Sequence, residues 1–513
     1  MEREVKFAAS PTYELPDLRD IVGVTERLPK QLLSTAYHDT PDLRLWRRGL
    51  TLRFRSGEEP GRGKWTLKLP EETADRTLDR TELSWEGEQE TVPAETLGLL
   101  RGIVRRATLG SVVHLESTRR RLLLRDRRGD ALGEIDDDVV TVAGGPRDGF
   151  RFRQIEFEFT GEPDPAVVDA VLKKIRRAGA RLDHEQKFAK SLGLGPEASP
   201  PVTQKKGKQQ RREVSIGAVA QHSIESGLDR ILDHDYRLRI DLSDPPTEAV
   251  HQARVACRRL RSDLKTLSPL LDPIWLAHTT TELKWLGMVL GRVRDADVLG
   301  RRLAGEGSDG PLEAQGQQDL CAMVAEERRQ FVAELAEAVD GPRYFSLLER
   351  LHAASHGPPF YVQRKARSTS GQALRIESPA RKALPPLVEI QWKALRRRKR
   401  KAGRHPSDRQ LHRIRIAAKQ LRYAAEAAAP VMGKPARRMA RRAELVQTVL
   451  GDHHDAVAAA EWLRGAALNG TSAASYAAGL LTAAQQRRQR ALRRQWEGPW
   501  RALNAKAARQ WLG

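Results

Sequence analysis

Cysteine is nearly absent from this chain: among 513 residues only Cys257 and Cys321 occur. A disulfide framework and a thiolate zinc site are both excluded by that count. Cys257 falls on an apolar helix face and reads as a small core residue. No apolar run approaches the ~18 residues of a membrane span, and no signal-peptide pattern opens the chain. A soluble, cytoplasmic protein is expected. The first 194 residues lack net charge, with 34 basic and 34 acidic side chains, so the whole formal +22 lies beyond them. They also lack any Ser, Cys or His that stands out as a nucleophile. The length exceeds what one core supports, so at least two domains are expected. The split in charge points to one polyanionic ligand class handled in two ways.

What residues 1–160 do contain is charge on alternate positions. Glu2, Glu4 and Lys6 alternate with Arg3, Val5 and Phe7; Arg53 and Arg55 with Leu52 and Phe54; Lys64, Thr66 and Lys68 with Trp65, Leu67 and Leu69. Arg119 and Arg121 flank Arg120, and Glu156 and Glu158 alternate with Ile155, Phe157 and Phe159. A period of two marks β-strands. One solvated strand carries cross-strand ion pairs, but five strands with ordered charge predict a cavity lined by both signs. Turn signals at 56–63, 128–130 and 144–149 separate the strands, and helices are expected over 94–110 and 164–180.

Such a cavity suits a phosphate chain with its metal. Carboxylates hold a hard divalent cation, and guanidinium forks meet two phosphoryl oxygens at once. Glu2, Glu4, Glu156 and Glu158 are candidate ligands of Mg²⁺ or Mn²⁺, with Glu134, Asp136 and Asp138 on a further strand. The run Asp136–Asp138 leaves that strand's register open by one residue, which decides which side chains point inward. Lys6, Arg53, Arg55, Lys68, Arg80, Arg119, Arg121 and Lys187 are candidate phosphate ligands. The reacting centre falls to Glu2, Glu4, Lys6, Arg53, Arg55 and Lys68. Phosphoryl transfer asks mainly for positioning and charge neutralisation, so no side-chain nucleophile is needed.

Residues 195–212 hold almost no large apolar side chain and read as a flexible linker. Beyond them the periodicity is helical, with breaks expected at Pro245-Pro246, 305–310, 357–359 and Pro385-Pro386, and a final basic helix over 485–511. An internal repeat runs through this half. HQARVACRRLR at His251–Arg261 matches HRIRIAAKQLR at His412–Arg422, and LGRVRDADV at Leu290–Val298 matches LGDHHDAVA at Leu450–Ala458. Two matched pairs in one order indicate a duplicated helical bundle. At ~100° per residue, His251, Arg254, Arg258 and Arg261 share an arc of about 80° beside an apolar stripe. His412, Arg415, Lys419 and Arg422 repeat it. Like charges in a row repel, so the rows predict an anion between them, with Arg294 and His453 as further contributors. His453 and His454 beside Asp455 offer too few ligands for a metal site. Nothing resembles a helix-turn-helix, and Trp496 and Trp500 read as anchors, so nucleic acid is disfavoured.

The opening Glu2-x-Glu4-x-Lys6, YHDTPDLRLWRRGLTLRFR at 37–55, WTLKLP at 65–70, RTELSW at 80–85 and IEFEF at 155–159 together resemble the CYTH domain over residues 1–194. That family comprises triphosphate tunnel metalloenzymes: inorganic triphosphatases, thiamine triphosphatases and class IV adenylate cyclases. The resemblance implies an eight-stranded antiparallel β-barrel with flanking helices. It also implies Glu2, Glu4, Glu156 and Glu158 as metal ligands and Lys6, Arg53, Arg55, Lys68 and Lys187 as triphosphate ligands. Gln186-Lys187 stands where the family has Ser-Lys. The duplicated cassette resembles the CHAD domain over about 213–505, which implies two pseudo-symmetric four-helix bundles binding inorganic polyphosphate. His251, Arg254, Arg258, His412, Arg415, Lys419 and Arg422 carry over as its ligands. The expectation is therefore an α+β chain: a metal-dependent inorganic triphosphatase fused to a polyphosphate-binding domain, associated with polyphosphate granules and without an implied protein partner. The alternatives are a silent barrel in a pure binding protein, an adenylate cyclase and a thiamine triphosphatase.

Overall fold

The computed structural model describes residues 2–59, 61–70, 78–80, 82–161, 164–194, 214–305, 310–361 and 375–512, without the side chains of residues 2, 3 and 78–80. The expected linker lies outside them. The chain divides into two compact units, Met1–Gln209 and Gln210–Gly513.

The first unit is built on antiparallel strands β1 (Glu2–Ala9), β2 (Val24–Arg27), β3 (Gln31–Asp39), β4 (Thr51–Ser56), β5 (Gly63–Lys68), β6 (Leu78–Arg80), β7 (Glu82–Glu86), β8 (Gly110–Arg125), β9 (Ala131–Gly144), β10 (Arg151–Phe159) and β11 (Arg181–Leu182). Helices α1 (Ala94–Val104), α2 (Pro165–Arg177) and α3 (Lys187–Leu192) accompany them. The ladder runs β11-β1-β10-β9-β8-β3-β4-β5-β7, with β2 added to β8 and β6 to β1. The expected eight-stranded closed barrel is corrected here: among the described residues the sheet has 11 strands and its ladder is not closed. Segment 78–86 pairs with β1 at its first end and with β5 at its second, and residue 81 between them lies outside the described residues.

Strand parity inverts the usual sheet. Phe7, Ile155 and Phe157 are buried against Val171 and Ile175 of α2, while Tyr37, Val113, Leu115 and Val142 pack with Phe188 of α3. On β1 and β10 the apolar side chains thus face α2 and the charged ones the concave side, whereas Tyr37, Leu115 and Val142 share the parity of Arg53, Arg119 and Asp138 and fill one end of the concave side against α3. Local chemistry fixes the corners. Asp164 caps α2 by accepting from Ala166 N–H at 2.8 Å, and Pro165 sits at the first helical position. Between β8 and β9, Asp126 accepts from the N–H groups of Arg128 (2.8 Å) and Asp130 (2.9 Å), and Gly129 takes φ 93°. After β3, the buried Asp39 carboxylate accepts from Thr40, Leu45 and Trp46 N–H groups at 2.7–2.9 Å.

The second unit comprises α4 (Ile216–Arg239), α5 (Thr247–Thr266), α6 (Pro273–Ala304), α7 (Pro311–Asp340), α8 (Pro342–His356), α9 (Ala380–Ala402), α10 (Asp408–Met432), α11 (Lys434–Asn469), α12 (Ser472–Gln495), α13 (Glu497–Asn504) and α14 (Lys506–Arg509). Helices α4–α7 pack in series, α9–α12 repeat that series, and the two sets meet through α4·α9, α5·α10 and α7·α12. The repeat holds in burial register. Val250, Ala253, Ala256, Cys257, Leu260 and Leu264 are buried, and so are Leu411, Ile414, Ala417, Ala418, Leu421 and Ala425. The larger apolar cluster draws on α4, α5, α6, α9, α10 and α11, and a second joins α6, α7, α11 and α12.

Two sequence expectations fail here. Pro385 and Pro386 do not break a helix but lie inside α9. They sit two turns from its start, and the carbonyls left without donors belong to Arg381 and Lys382, both on exposed residues that water can satisfy. The basic tail is not one helix: α12 stops at Trp496, which is buried along with Trp500, and Trp500 stacks on Trp392 at 5.9 Å. Where α7 crosses α12, a Cβ on Gly316 would stand 2.1 Å from the Ala473 carbonyl oxygen. Gly316→Ala is therefore expected to cost about 1–3 kcal/mol or more, read as a lower urea midpoint of the helical unit.

Candidate functional site

The concave face of the sheet encloses a cavity of about 440 Å³. Register places its walls. Lys6 stands opposite Glu156 and Glu4 opposite Glu158 across β1 and β10; Glu156 and Glu158 face Asp136 and Glu134 across β9; Asp138 and Asp136 face Arg119 and Arg121 across β8. On the far side, Tyr37, Arg53 and Thr66 lie abreast on β3, β4 and β5. The open register of β9 is settled: Glu134 and Asp136 line the cavity, Asp138 binds Arg119 and Lys187, and Asp137 turns away to Arg153.

Lys6, Arg53, Arg55, Lys68, Arg119, Arg121, Lys187, Glu4, Glu134, Asp136, Glu156 and Glu158 all line this one cavity. The side chains of Glu2 and Arg80 lie outside the described residues. Glu4, Glu156 and Glu158 each bring a carboxylate oxygen within 4.8 Å of the others, an all-oxygen set suited to a hard divalent cation. Glu134 and Asp136 are engaged elsewhere, by Arg121 and Arg119.

Most of the cations already hold carboxylates. Lys6 lies 2.7 Å from Glu4, and Lys187 bonds Asp138 at 2.5 Å and Glu156 at 2.7 Å. Arg119 grips Asp138 with two bonds at 2.8 and 2.9 Å, and Lys68 meets Glu82. Arg55 is held by Thr35 at 3.1 Å and Glu58 at 3.2 Å. Arg53 differs: its Nε is buried without a hydrogen-bond partner, a donor poised for an oxyanion.

The electrostatics separate the carboxylates. Burial by itself raises Glu156, but Lys187, Lys6 and Arg119 outweigh it and hold the group well below the usual range. Burial, then repulsion from Glu156 and Glu4, raises Glu158. Burial pushes Asp136 up to about 8 against the pull of Arg119, with Asp138, Glu134 and Glu158 adding to the rise. Burial also works against ionising Tyr37, yet Arg53, Arg55, Lys187 and Lys68 bring its phenol below the ordinary value. Tyr37, Glu58 and Glu82 were missed by sequence reasoning. Tyr37 alone had a usable signal, since its strand continues the alternation opposite Arg53.

In the helical unit, the rows on α5 and α10 face each other. Arg258, Arg415, Arg254 and Arg261 together depress Lys419, after burial, to about 6. Arg415 Nε and His412 Nδ1 are buried without hydrogen-bond partners. Gly291 and its repeat counterpart Gly451 leave room beside the row: a Cβ there would meet Arg254 at 3.4 Å and Arg415 at 3.6 Å. Arg254 reaches Asp295 on α6 at 2.7 Å, and Arg258 donates to Tyr423 Oη at 2.9 Å. His251 and Arg294 stand at the same end of the row, each feeling Arg254. His453 turns out of the row, with Nε2 3.3 Å from Asp408. Its neighbour His454, the repeat counterpart of Arg294, joins the row against His412 at 4.3 Å between rings. Arg422 pairs with Glu426 and Glu444.

Residues 1–190 match the CYTH domain and residues 222–464 the CHAD domain. Two Mycobacterium tuberculosis proteins, the uncharacterized proteins MT2285 and Rv2226, are each 32% identical over 494 residues, spanning 90% of this chain and 88% of theirs. Among solved structures, PptA from Streptomyces chartreusis covers 56% of this chain and 99% of its own at 20% identity, TM-score 0.45. The CHAD domain of the plant Ricinus communis covers 57% and 92% at 24% identity, TM-score 0.46. With the two domains in this order and a relative matched along nearly the whole length, the chain belongs to the family of proteins that join a CYTH domain to a CHAD domain.

Proposed function

We propose that the CYTH unit hydrolyses the terminal phosphoanhydride of tripolyphosphate or short polyphosphate, and that the CHAD unit binds inorganic polyphosphate. One observation carries the first half: three carboxylates converge within 4.8 Å in a cavity whose other walls present eight Lys and Arg side chains. Glu4, Glu156 and Glu158 would hold Mg²⁺ or Mn²⁺, with Glu2 adjoining in sequence. A divalent cation there supplies charge neutralisation and Lewis acidity to phosphoryl oxygens. Arg53 and Arg55 bind and orient the phosphate chain from one wall, and Lys6, Lys68, Arg119, Arg121 and Lys187 from the others. A water in line with the terminal phosphoryl is the nucleophile. The helical unit concentrates substrate, or tethers the protein to polyphosphate deposits, through the paired rows on α5 and α10.

Support for a phosphate chain over a nucleoside comes from the lining. Among the described residues that line this cavity Tyr37 is the aromatic one, and it sits amid four cations, a setting that favours phosphate over a base; the apolar Leu32 and Phe54 line an adjoining cavity instead. Phosphate release from tripolyphosphate, ATP and thiamine triphosphate with Mg²⁺ or Mn²⁺ tests this reading. Faster release from tripolyphosphate is expected. Cyclic AMP formed from ATP, or no release from any substrate, would overturn it.

A further inference from the structure

The internal repeat is symmetric in its core and antisymmetric in charge at one end. Arg261 on α5 and Arg422 on α10 are repeat counterparts, each ending its row. One turn on, α5 carries Lys265 where α10 carries Glu426. The neighbouring helices reverse in the same way, because Lys284 on α6 corresponds to Glu444 on α11 in the register that aligns Leu290 with Leu450. Burial verifies that register: Leu283, Leu286 and Leu290 are buried, as are Ala443, Val446 and Leu450. Two sign reversals thus cluster around one pair of equivalent arginines.

The consequences differ on the two sides. Arg422 is neutralised, at 2.7 Å from Glu426 and 3.0 Å from Glu444. Those two glutamates, with Arg259, Arg437 and Arg441, close around a separate pocket of about 330 Å³. Arg261 instead stands among cations. Lys265 lies within the field of Arg261, Lys284 and Arg398, which, after burial, lower its affinity for a proton. Arg398, from α9, has a buried Nη1 with no hydrogen-bond partner. Lys265 and Lys284 are exposed. Beyond Arg398, α9 continues through Lys399, Arg400 and Lys401 to its end at Ala402.

We infer that the polyphosphate track is one-ended: the chain leaves the shared groove past Arg261, Lys265, Lys284 and Arg398, while Glu426 and Glu444 block the equivalent exit past Arg422. The inference rests on the polyphosphate reading of the helical unit and adds direction to it. Row cations without counter-charges draw the anion on, whereas at the other end Glu426 and Glu444 already occupy Arg422, and Glu426 also faces Arg259 at 3.6 Å, so an incoming anion must displace them. The ligand this fits is linear and long enough to follow the row from Arg254 to Lys265, about 16 Å along α5 at helical rise.

The test uses the full chain and sodium polyphosphate of graded length, titrated at several salt concentrations. Each lost phosphate contact lowers the log–log salt slope by about 1. Lys265→Gln/Lys284→Gln is expected to lower the slope for long chains by about 2 and to leave tripolyphosphate binding in the groove unchanged. Glu426→Gln/Glu444→Gln frees Arg422 and is expected to raise the long-chain slope. Arg258→Ala, in the groove itself, weakens chains of every length. If the lysine pair binds long chains as the parent does while Arg258→Ala weakens them, the directed exit is wrong and the groove stands. If glutamine at 426 and 444 lowers affinity as much as at 265 and 284, the asymmetry is overturned. If the parent chain and Arg258→Ala bind polyphosphate equally poorly, the underlying reading fails instead.

Discussion

Glu158→Gln is expected to abolish metal-dependent phosphate release while making the metal-free protein more stable. Glu158 is the member of the carboxylate trio that its surroundings do not want charged: burial and the charges of Glu156 and Glu4 all raise it. The sign follows from proton linkage. A carboxyl raised in the folded state stays protonated where the unfolded chain has already ionised, so stability falls as pH climbs through that window. At neutral pH the charged Glu158 therefore costs stability, and removing its charge recovers on the order of 1 kcal/mol, about 2–4 °C in Tm for a domain of this size. Loss of a ligand oxygen should lower turnover by about 100-fold or more, since even outer-shell substitutions reach that scale. Melting in chelator and in Mg²⁺, beside the phosphate assay, separates the two effects. A variant that melts lower without metal, or keeps its response to metal, contradicts the assignment. Glu156→Gln should behave in the opposite way without metal, because it leaves Lys187 and Lys6 short of a partner.

Polyphosphate binding should take up protons. Lys419, pushed down to about 6 by burial and by Arg258, Arg415, Arg254 and Arg261, is neutral in the free groove at pH 7–8. A polyanion restores its charge. Affinity is then expected to rise by up to about tenfold per pH unit as pH falls from 9 toward 6. His251, His412 and His454, also depressed first by burial, extend the rise below that. Lys419→Arg keeps the charge throughout and should flatten the upper part of the profile, while Lys419→Met should flatten it at lower affinity. Calorimetry in buffers of different ionisation enthalpy counts the protons directly. No buffer dependence near pH 7.5 would remove Lys419 from the contact.

Much of the cavity could be read from parity alone, because a strand with period two and ordered charge has one geometric meaning. Glu4, Lys6, Glu156 and Glu158 follow from it, and so do Arg53, Arg55 and Lys68. The Asp136–Asp138 run could not be resolved that way, since three successive carboxylates fit either face. Arg119 and Lys187, which bind Asp138, and Arg153, which takes Asp137, set the register. Glu58 lies beyond the end of β4, where periodicity stops, so its hold on Arg55 had no sequence signal. His454 was legible in the aligned motifs, which pair it with Arg294 and pair His453 with Val293, so the expectation for His453 set that register aside. The reversals at Lys265/Glu426 and Lys284/Glu444 were present in the sequence, but their meaning required α6 and α11 to be placed beside α5 and α10. The open ladder arose where hydrogen bonding, not side-chain pattern, decides the topology.

The larger apolar cluster, running through α4, α5, α6, α9, α10 and α11, has a consequence for how the duplication can change. Each cationic helix buries its stripe chiefly against the helices of its own copy, but the cluster also crosses the seam where α5 meets α10. Deleting or exchanging one copy would strand its twin's greasy flank in water. Divergence is therefore channelled to the rim, where Lys and Glu can trade places without disturbing a shared interior, and that is where the two copies have parted.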